Sequence, residues 1–303
     1  VKWFVRLVLA LLVLLLLGAG GFLAYRQLTH ETLDLTALAP YAATERVDKL
    51  IARIQAQPIP AEGFSFVALG DSRSNYGVAL QVFQEAAKEK PAFVLSNGDI
   101  VRRGLPEEYV AHHMRLVQAI APIPFIGVPG NHEEGPNDDF EAYRAIYGEE
   151  RFSFDYGNCR VVGVNNCDFW GLSNEELRYL DEELGKPGAE HKFVVFHMPP
   201  KDLAVYEHSE DGRGFRRNSA AMRKLFARHQ VDHVFMGHVH GYATMVEDGV
   251  RYTVTGGAGA SLTESLGEEG GVHNFVVVHV TSDGLKQEVV RLVNGTWVRS
   301  PVA

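Results

Sequence analysis

Cysteine is nearly absent from this chain. Two occur in 303 residues, Cys159 and Cys167. Both lie in Cys159-Arg-Val-Val-Gly-Val-Asn-Asn-Cys167, an apolar stretch that reads as one strand. Its ends would stand about 26 Å apart at ~3.3 Å per residue, and a disulfide needs Cα atoms within ~7 Å. Two free thiols are expected even in an oxidising compartment, and the same geometry excludes a metal site made by the pair. An excess of basic residues is missing too. Lys and Arg number 29 against 38 Asp and Glu, a net charge of −9. A duplex-DNA binder shows the opposite balance, so no nucleic acid is expected as a partner; Arg213, Arg216 and Arg217 form the one local cluster against that trend. No repeat of fixed spacing is visible.

Charge is missing altogether from Leu7 to Tyr25, where Leu and Val dominate. As a helix this run would span about 28 Å, close to the ~30 Å of a bilayer's hydrocarbon. Lys2 and Arg6 precede it, which favours a membrane anchor with the body on the extracytoplasmic side. The rival is a signal peptide cut near Gly18-Ala19-Gly20, which would release a secreted protein, but its apolar core is usually ~7–15 residues. The expected organisation is an anchor at 1–27, a stalk with a short amphipathic helix at 28–62, and a body at 63–303. Val47, Leu50, Ile51 and Ile54 mark that helix's apolar face, and Pro58 and Pro60 end it.

What is present in quantity is apolar: 46% of residues are hydrophobic and 22% charged, enough for one medium-to-large domain with a sizeable core. From Phe64 the pattern alternates strand and helix. Strands are expected at 64–69, 92–95 and 124–128, with helices at 77–90 and 107–120 between them, which implies right-handed crossovers and a mostly parallel sheet. Further strands are expected at 152–156, 160–165, 192–196 and 233–236. A hairpin is read at 242–255 around Glu247-Asp248-Gly249, and a β-rich tail at 275–280 and 285–293. Ser173 to Glu176 matches a capping box, with Gly185 suited to that helix's end.

Five of the strands stop at polar residues: Gly70-Asp71-Ser72-Arg73, Gly98-Asp99, Gly130-Asn131-His132-Glu133, His197, and Gly237-His238-Val239-His240. Any one of these is an ordinary turn or core residue. As an ordered set they place oxygen and nitrogen donors at the carboxyl ends of strands, where ligands gather in such sheets. His238 and His240, two apart on extended backbone, face the same way. Gly256-Gly257-Ala258-Gly259 opens no helix and reads as close backbone approach beside the site. Asn166 and Asp168 are candidates for an extra ligand.

These blocks, between about Phe64 and Gly259, resemble those of the calcineurin-like metallophosphoesterases. The resemblance implies an α/β fold, a four-layer α/β/β/α sandwich of two mixed sheets, with two divalent ions (Mn, Fe or Zn) between them. It implies Asp71, Asp99 and His240 on the first ion, and Asp99, Asn131, His197 and His238 on the second. His132 would assist the leaving group while a metal-activated hydroxide attacks a phosphomonoester or phosphodiester. Hard oxygen donors with imidazole suit such ions.

Arg73 departs from the pattern. The family usually carries histidine there, and a guanidinium has no lone pair to offer a metal. Water fills the gap, or the first ion binds weakly, or Arg73 replaces part of its charge and grips the substrate phosphate bidentately. The adopted expectation is a two-ion site with a weakened first position and a catalytic Arg73 near the phosphate; a plain ion pair with a neighbouring acid is the simpler alternative. The competing function is a non-catalytic phosphoryl-ligand binding protein.

Overall fold

The computed structural model describes residues 31–167, 171–203 and 214–302, together with Gly21. The expected anchor at 7–25, Gly21 apart, lies outside them, as do Asp168 and Arg213. Among the described residues no helix is long and apolar enough to cross a membrane. The chain divides into two compact units, Val1–Asp34 and Leu35–Ala303, and the second holds two mixed six-stranded sheets with flanking helices.

The alternation of apolar runs builds the first three strands, β1 (Phe64–Leu69), β2 (Val94–Ser96) and β3 (Phe125–Gly127). They pair in parallel. The helix Tyr76–Lys88 joins β1 to β2, and a run of Pro106–Glu108, a π-helical turn at Tyr109–His113, and Met114–Ala119 joins β2 to β3. The second sheet contains β4 (Phe152–Tyr156), β5 (Cys159–Gly163), β6 (His191–Val195), β7 (His233–Met236), β8 (Tyr242–Glu247) and β9 (Val250–Thr255), in the order β4-β5-β6-β7-β9-β8. The tail, β10 (His273–Thr281), β11 (Gly284–Val293) and β12 (Thr296–Pro301), returns to the first sheet. Its order is β12-β11-β10-β1-β2-β3.

The sheet expected to be mostly parallel therefore has three antiparallel pairings and two parallel ones, because the β-rich tail adds to β1 by its free edge. The last strand, Thr296–Pro301, lies beyond the expected β-rich tail. Asn294-Gly295 makes the turn before it, with φ +49° and +79°, and that dipeptide between two β-patterned runs is a strong hairpin signal.

Side-chain parity shows how the sheets lie. In β5 to β7, Val161, Phe193, Val195 and Phe235 join the core that contains Phe66 and Phe93 of the first sheet. Their neighbours Val162, Val194, Val234 and Met236 join a second core, as alternation along a strand requires. Phe66 packs edge-on against Phe193 at 4.9 Å between ring centres, so the two sheets meet face to face. The outer face of the second sheet is covered by Asn174–Gly185 and Ser219–Arg228, through Leu180, Leu184, Met222 and Phe226.

The capping box is present: the Glu176 N–H donates to Ser173 Oγ at 3.1 Å, and the Ser173 N–H donates to Glu176 Oε2 at 2.7 Å. Gly185 is not a left-handed cap; it closes the helix, and Lys186 follows in extended backbone. Val47, Leu50 and Ile54 of Val47–Gln55 are buried in the first core, with Ile51 at its margin. β5 stops at Gly163, short of Cys167, because the Cys167 N–H turns to Asn165 Oδ1 at 2.9 Å. Both cysteines are buried thiols, with no disulfide between them.

Candidate metal centre

Every expected site residue of these blocks falls two to five residues beyond a strand end. Asp71 follows β1, Asp99 follows β2, Asn131 and His132 follow β3, His197 follows β6, and His238 and His240 follow β7. The chain reverses sharply at these points. Asp71, Asp99 and His238 have φ of +59°, +55° and +69°, left-handed conformations that cost a non-glycine residue on the order of 1 kcal/mol or more. Packing around Asp71 is so close that a Cβ on Gly237 or Gly256 would meet its Oδ2 at 2.5 or 2.8 Å. Small residues at both places let the backbone close over the carboxylate, as expected for the 256–259 stretch.

Asp71, Asp99 and His197 are fully buried, and one ligand atom from each lies within 4.8 Å of the others. Around His197 the donors are closer still. Its Nε2 is 3.1 Å from Asn131 Oδ1 and 3.3 Å from Asp99 Oδ1, and Asn131 Oδ1 is 2.9 Å from His238 Nδ1. Ligands about 2.1 Å from one ion are separated by about 3.0 Å in an octahedron and about 3.4 Å in a tetrahedron, and these spacings match such edges. His197 Nδ1 donates to the Asn97 carbonyl at 2.8 Å. That bond keeps the ring proton on Nδ1 and turns the Nε2 lone pair inward, the usual second bond of a metal-ligating imidazole. Burial lowers the His197 pKa to about 4, against the pull of Asp99, so the ring is neutral near pH 7. A lone pair then faces the Asp99 carboxylate oxygen with no proton between them, an arrangement that a cation relieves.

The two carboxylates differ. Burial and the charge of Asp99 hold the Asp71 pKa well above the ordinary range. Burial also opposes ionisation of Asp99, but His197, His132 and Arg73 outweigh it and hold that carboxyl well below the ordinary range. Two buried carboxylates this close favour a shared cation, which would let both ionise.

Arg73 lies on the other side of Asp99. Its Nε donates to Asp99 Oδ2 at 3.0 Å, and its Nη2 lies 3.2 Å from His240 Nε2. His240 Nδ1 donates to the Ser261 carbonyl at 2.7 Å, and its Nε2 is 3.4 Å from Asp71 Oδ1. His132 donates its backbone N–H to Asp99 Oδ1 at 3.0 Å and its Nδ1–H to the Arg102 carbonyl at 2.6 Å. Its Nε2 lies 3.9 Å from Asp99 Oδ2.

Two supporting residues were not singled out from the sequence. Glu133 is buried and accepts the backbone N–H groups of Asp99, Ile100, Val101 and Gly130 at 2.5–3.0 Å. Burial and the Asp99 charge push its pKa up to about 8, and the backbone N–H bonds act against that rise. Asn97 Nδ2 donates to the Met236 carbonyl of the opposite sheet at 2.9 Å. Both stand inside or beside quoted blocks, and that position was the available signal. Asn166 is not a ligand: its Oδ1 accepts the N–H groups of His197 and Met198 at 3.1 and 3.0 Å, so it positions the His197 backbone instead. Arg216 and Arg217 are exposed.

Residues 64–242, more than half the chain, match the family model described as calcineurin-like phosphoesterase. A relative from Arcobacter nitrofigilis, a probable glycerophosphodiester phosphodiesterase GpdQ, is 28% identical over 166 residues, covering 52% of this chain and 59% of its own length. The match thus spans under two thirds of that relative. Among solved structures, the purple acid phosphatase PPD1 of yellow lupin (Lupinus luteus) aligns with a TM-score of 0.65 at 16% identity, over 80% of this chain and 54% of that one. GAP50, titled the anchor in the inner membrane complex of Plasmodium, aligns at 0.61 and 15% identity over 79% and 88%. At these identities the two structures speak for the fold alone.

Proposed function

This chain belongs to the calcineurin-like phosphoesterase family, and from that premise we propose that it hydrolyses phosphate esters with the help of a divalent transition-metal ion. The observation that carries the reading is the convergence of Asp71, Asp99 and His197, all buried, with ligand atoms within 4.8 Å. Asn131 and His238 complete the donor set. Mn, Fe or Zn suits these oxygen and imidazole donors; when bound, such an ion supplies Lewis-acid charge to the phosphoryl oxygens and acidifies a water.

The chain's own residues supply the rest. His132 keeps one ring proton on Nδ1 through the Arg102 carbonyl, so a second proton, carried on Nε2 in the imidazolium, is the one passed to the departing alkoxide. Asp99 Oδ2 lies 3.9 Å from that nitrogen. Arg73 has Nε, Nη2 and Nη1 engaged with Asp99, His240 and Ser74 Oγ; each Nη carries a second N–H, and that pair is offered to a phosphate oxygen. The name of the Arcobacter relative supports a phosphodiester as the first substrate class to try.

The test is release of nitrophenol from bis(nitrophenyl) phosphate and from nitrophenyl phosphate, with and without added Mn. The reading expects turnover that chelator removes and Asp99→Asn abolishes. Bound metal with no turnover on either ester, and tight binding of inorganic phosphate, would instead favour a non-catalytic phosphoryl-binding protein. A membrane tether at 7–25, with the body outside the cytoplasm, is a separate part of this proposal supported by the uncharged run; fractionation with and without that segment tests it.

A further inference from the structure

The two halves of the metal centre satisfy their donors in different ways. At His197, Asp99 Oδ1 and the Nε2 lone pair face each other at 3.3 Å, and two acceptors so placed need a cation between them. On the far side of the same carboxylate, Asp99 Oδ2 accepts from Arg73 Nε at 3.0 Å. His240, whose ring proton is held on Nδ1 by the Ser261 carbonyl, turns its Nε2 lone pair to Arg73 Nη2 at 3.2 Å. Those are the atoms that the family resemblance gives to the first ion, and both are already met by N–H donors of one side chain.

Arg73 is held there by more than its tip. Its backbone N–H donates to the Asp99 carbonyl at 3.1 Å, and its side chain is only 15% exposed. A guanidinium keeps its charge at any accessible pH and has no lone pair. It cannot become a ligand, and it repels an incoming divalent ion that would compete for the same two atoms.

We infer that Arg73 is a built-in cation standing in for the first metal ion, so that this centre takes one divalent ion, in the position formed by Asp99, Asn131, His197 and His238. The inference rests on the metal-dependent reading of the site and replaces the two-ion expectation with one ion and one guanidinium. Asp99 still bridges two positive centres; one of them is covalently fixed.

Metal-free protein titrated with Mn(II), followed by elemental analysis after desalting and by electron paramagnetic resonance, tests this. The expected result is one Mn per chain at saturation with the six-line signal of an isolated ion. Arg73→His, which restores an imidazole to the first position, is expected to raise the content to two per chain and to give the broadened spectrum of an exchange-coupled pair. Two ions in the unaltered protein, or no ion at all, would overturn the inference, as would a folded Arg73→His protein that still holds one. If that variant fails to fold, the spectrum of the unaltered protein decides alone. Hydrolysis assays on the same samples separate the two claims: one ion without turnover defeats the phosphoesterase proposal and leaves this one standing, and turnover with two ions does the reverse.

Discussion

The two sheets contribute different chemistry to one place. The first sheet sends oxygen donors from the ends of β1, β2 and β3: Asp71, Asp99 and Asn131. The second sends imidazoles from the ends of β6 and β7: His197, His238 and His240. Neither sheet carries a complete donor set. The carboxylates supply charge and the histidines supply softer ligands, and the two sets are brought together by sheets that pack on Phe66, Phe193 and Phe235. Backbone contacts fasten that seam at the site itself, where Asn97 of the first sheet reaches the Met236 carbonyl and His197 reaches the Asn97 carbonyl. Metal affinity in this protein should therefore report sheet-to-sheet registration as well as ligand identity.

The sharpest way to break the comparison is to remove the residue that both sheets share. Asp99 touches His197, His132 and Arg73 at once. Asp99→Asn is expected to lose bound metal and reduce hydrolysis to background, measured by elemental analysis and nitrophenol release. A variant that keeps both would show that the oxygen side is dispensable.

His132→Gln separates chemistry from binding. His132 follows β3 of the first sheet, beside the donor set but outside it. Its loss is expected to lower kcat about a hundredfold or more, in the range of general-acid effects, with metal content unchanged. Smaller leaving-group dependence in the variant than in the parent would contradict the assignment.

Glu133→Gln probes what holds the first sheet's donors in place. The amide offers one acceptor oxygen where four N–H groups converge, and its own N–H would oppose two of them. Metal affinity is expected to fall about 10- to 100-fold, as for other residues that orient ligands, without loss of fold. An unchanged titration would mean that the loops at Asp99 and Gly130 are held by other contacts.

Two further histidines, one packed against the first sheet and one within the second, are buried outside the donor set. His113 lies 5.1 Å from Phe125 and bonds Tyr147 Oη at 2.5 Å; His233 begins β7 and bonds Thr253 Oγ1 at 2.7 Å. Burial pushes both pKa values down to about 3, helped by His112 at the first and Arg251 at the second. Between pH 6.5 and 3 the unfolded chain takes up a proton at each that the folded chain refuses, so stability is full above 6.5 and falls as the pH drops through that window. At pH 5 the loss is about 2 kcal/mol per histidine. Denaturant titrations should show His113→Phe and His233→Gln each flattening the slope by a similar amount; unequal slopes would mean that the sheets differ in acid resistance.

The smallest effect sharpens the contrast between site and periphery. Ser173→Ala removes the cap of the helix on the outer face of the second sheet and is expected to cost about 1 kcal/mol, with metal binding unaltered.

The ordered blocks made the ligands legible because each is a short polar interruption after an apolar run, and β1, β4 and β7 begin and end where alternation places them. Other features were hidden for physical reasons. The return of the tail to β1 is a long-range pairing that local pattern does not encode. The place of Asn166 depends on which backbone N–H groups come within its reach, and Glu133 looks like any exposed acid until the loop wraps around it. Arg73 was visible as an exception, but only the distances to Asp99 and His240 show what its guanidinium does.

Anomalous scattering from crystals soaked in Mn(II) tests the central claim most directly. The account predicts a peak about 2.1 Å from Asp99, Asn131, His197 and His238, joining the oxygen side to the imidazole side. A well-ordered site with no peak among those atoms, or a peak bound by residues of one sheet alone, would contradict it.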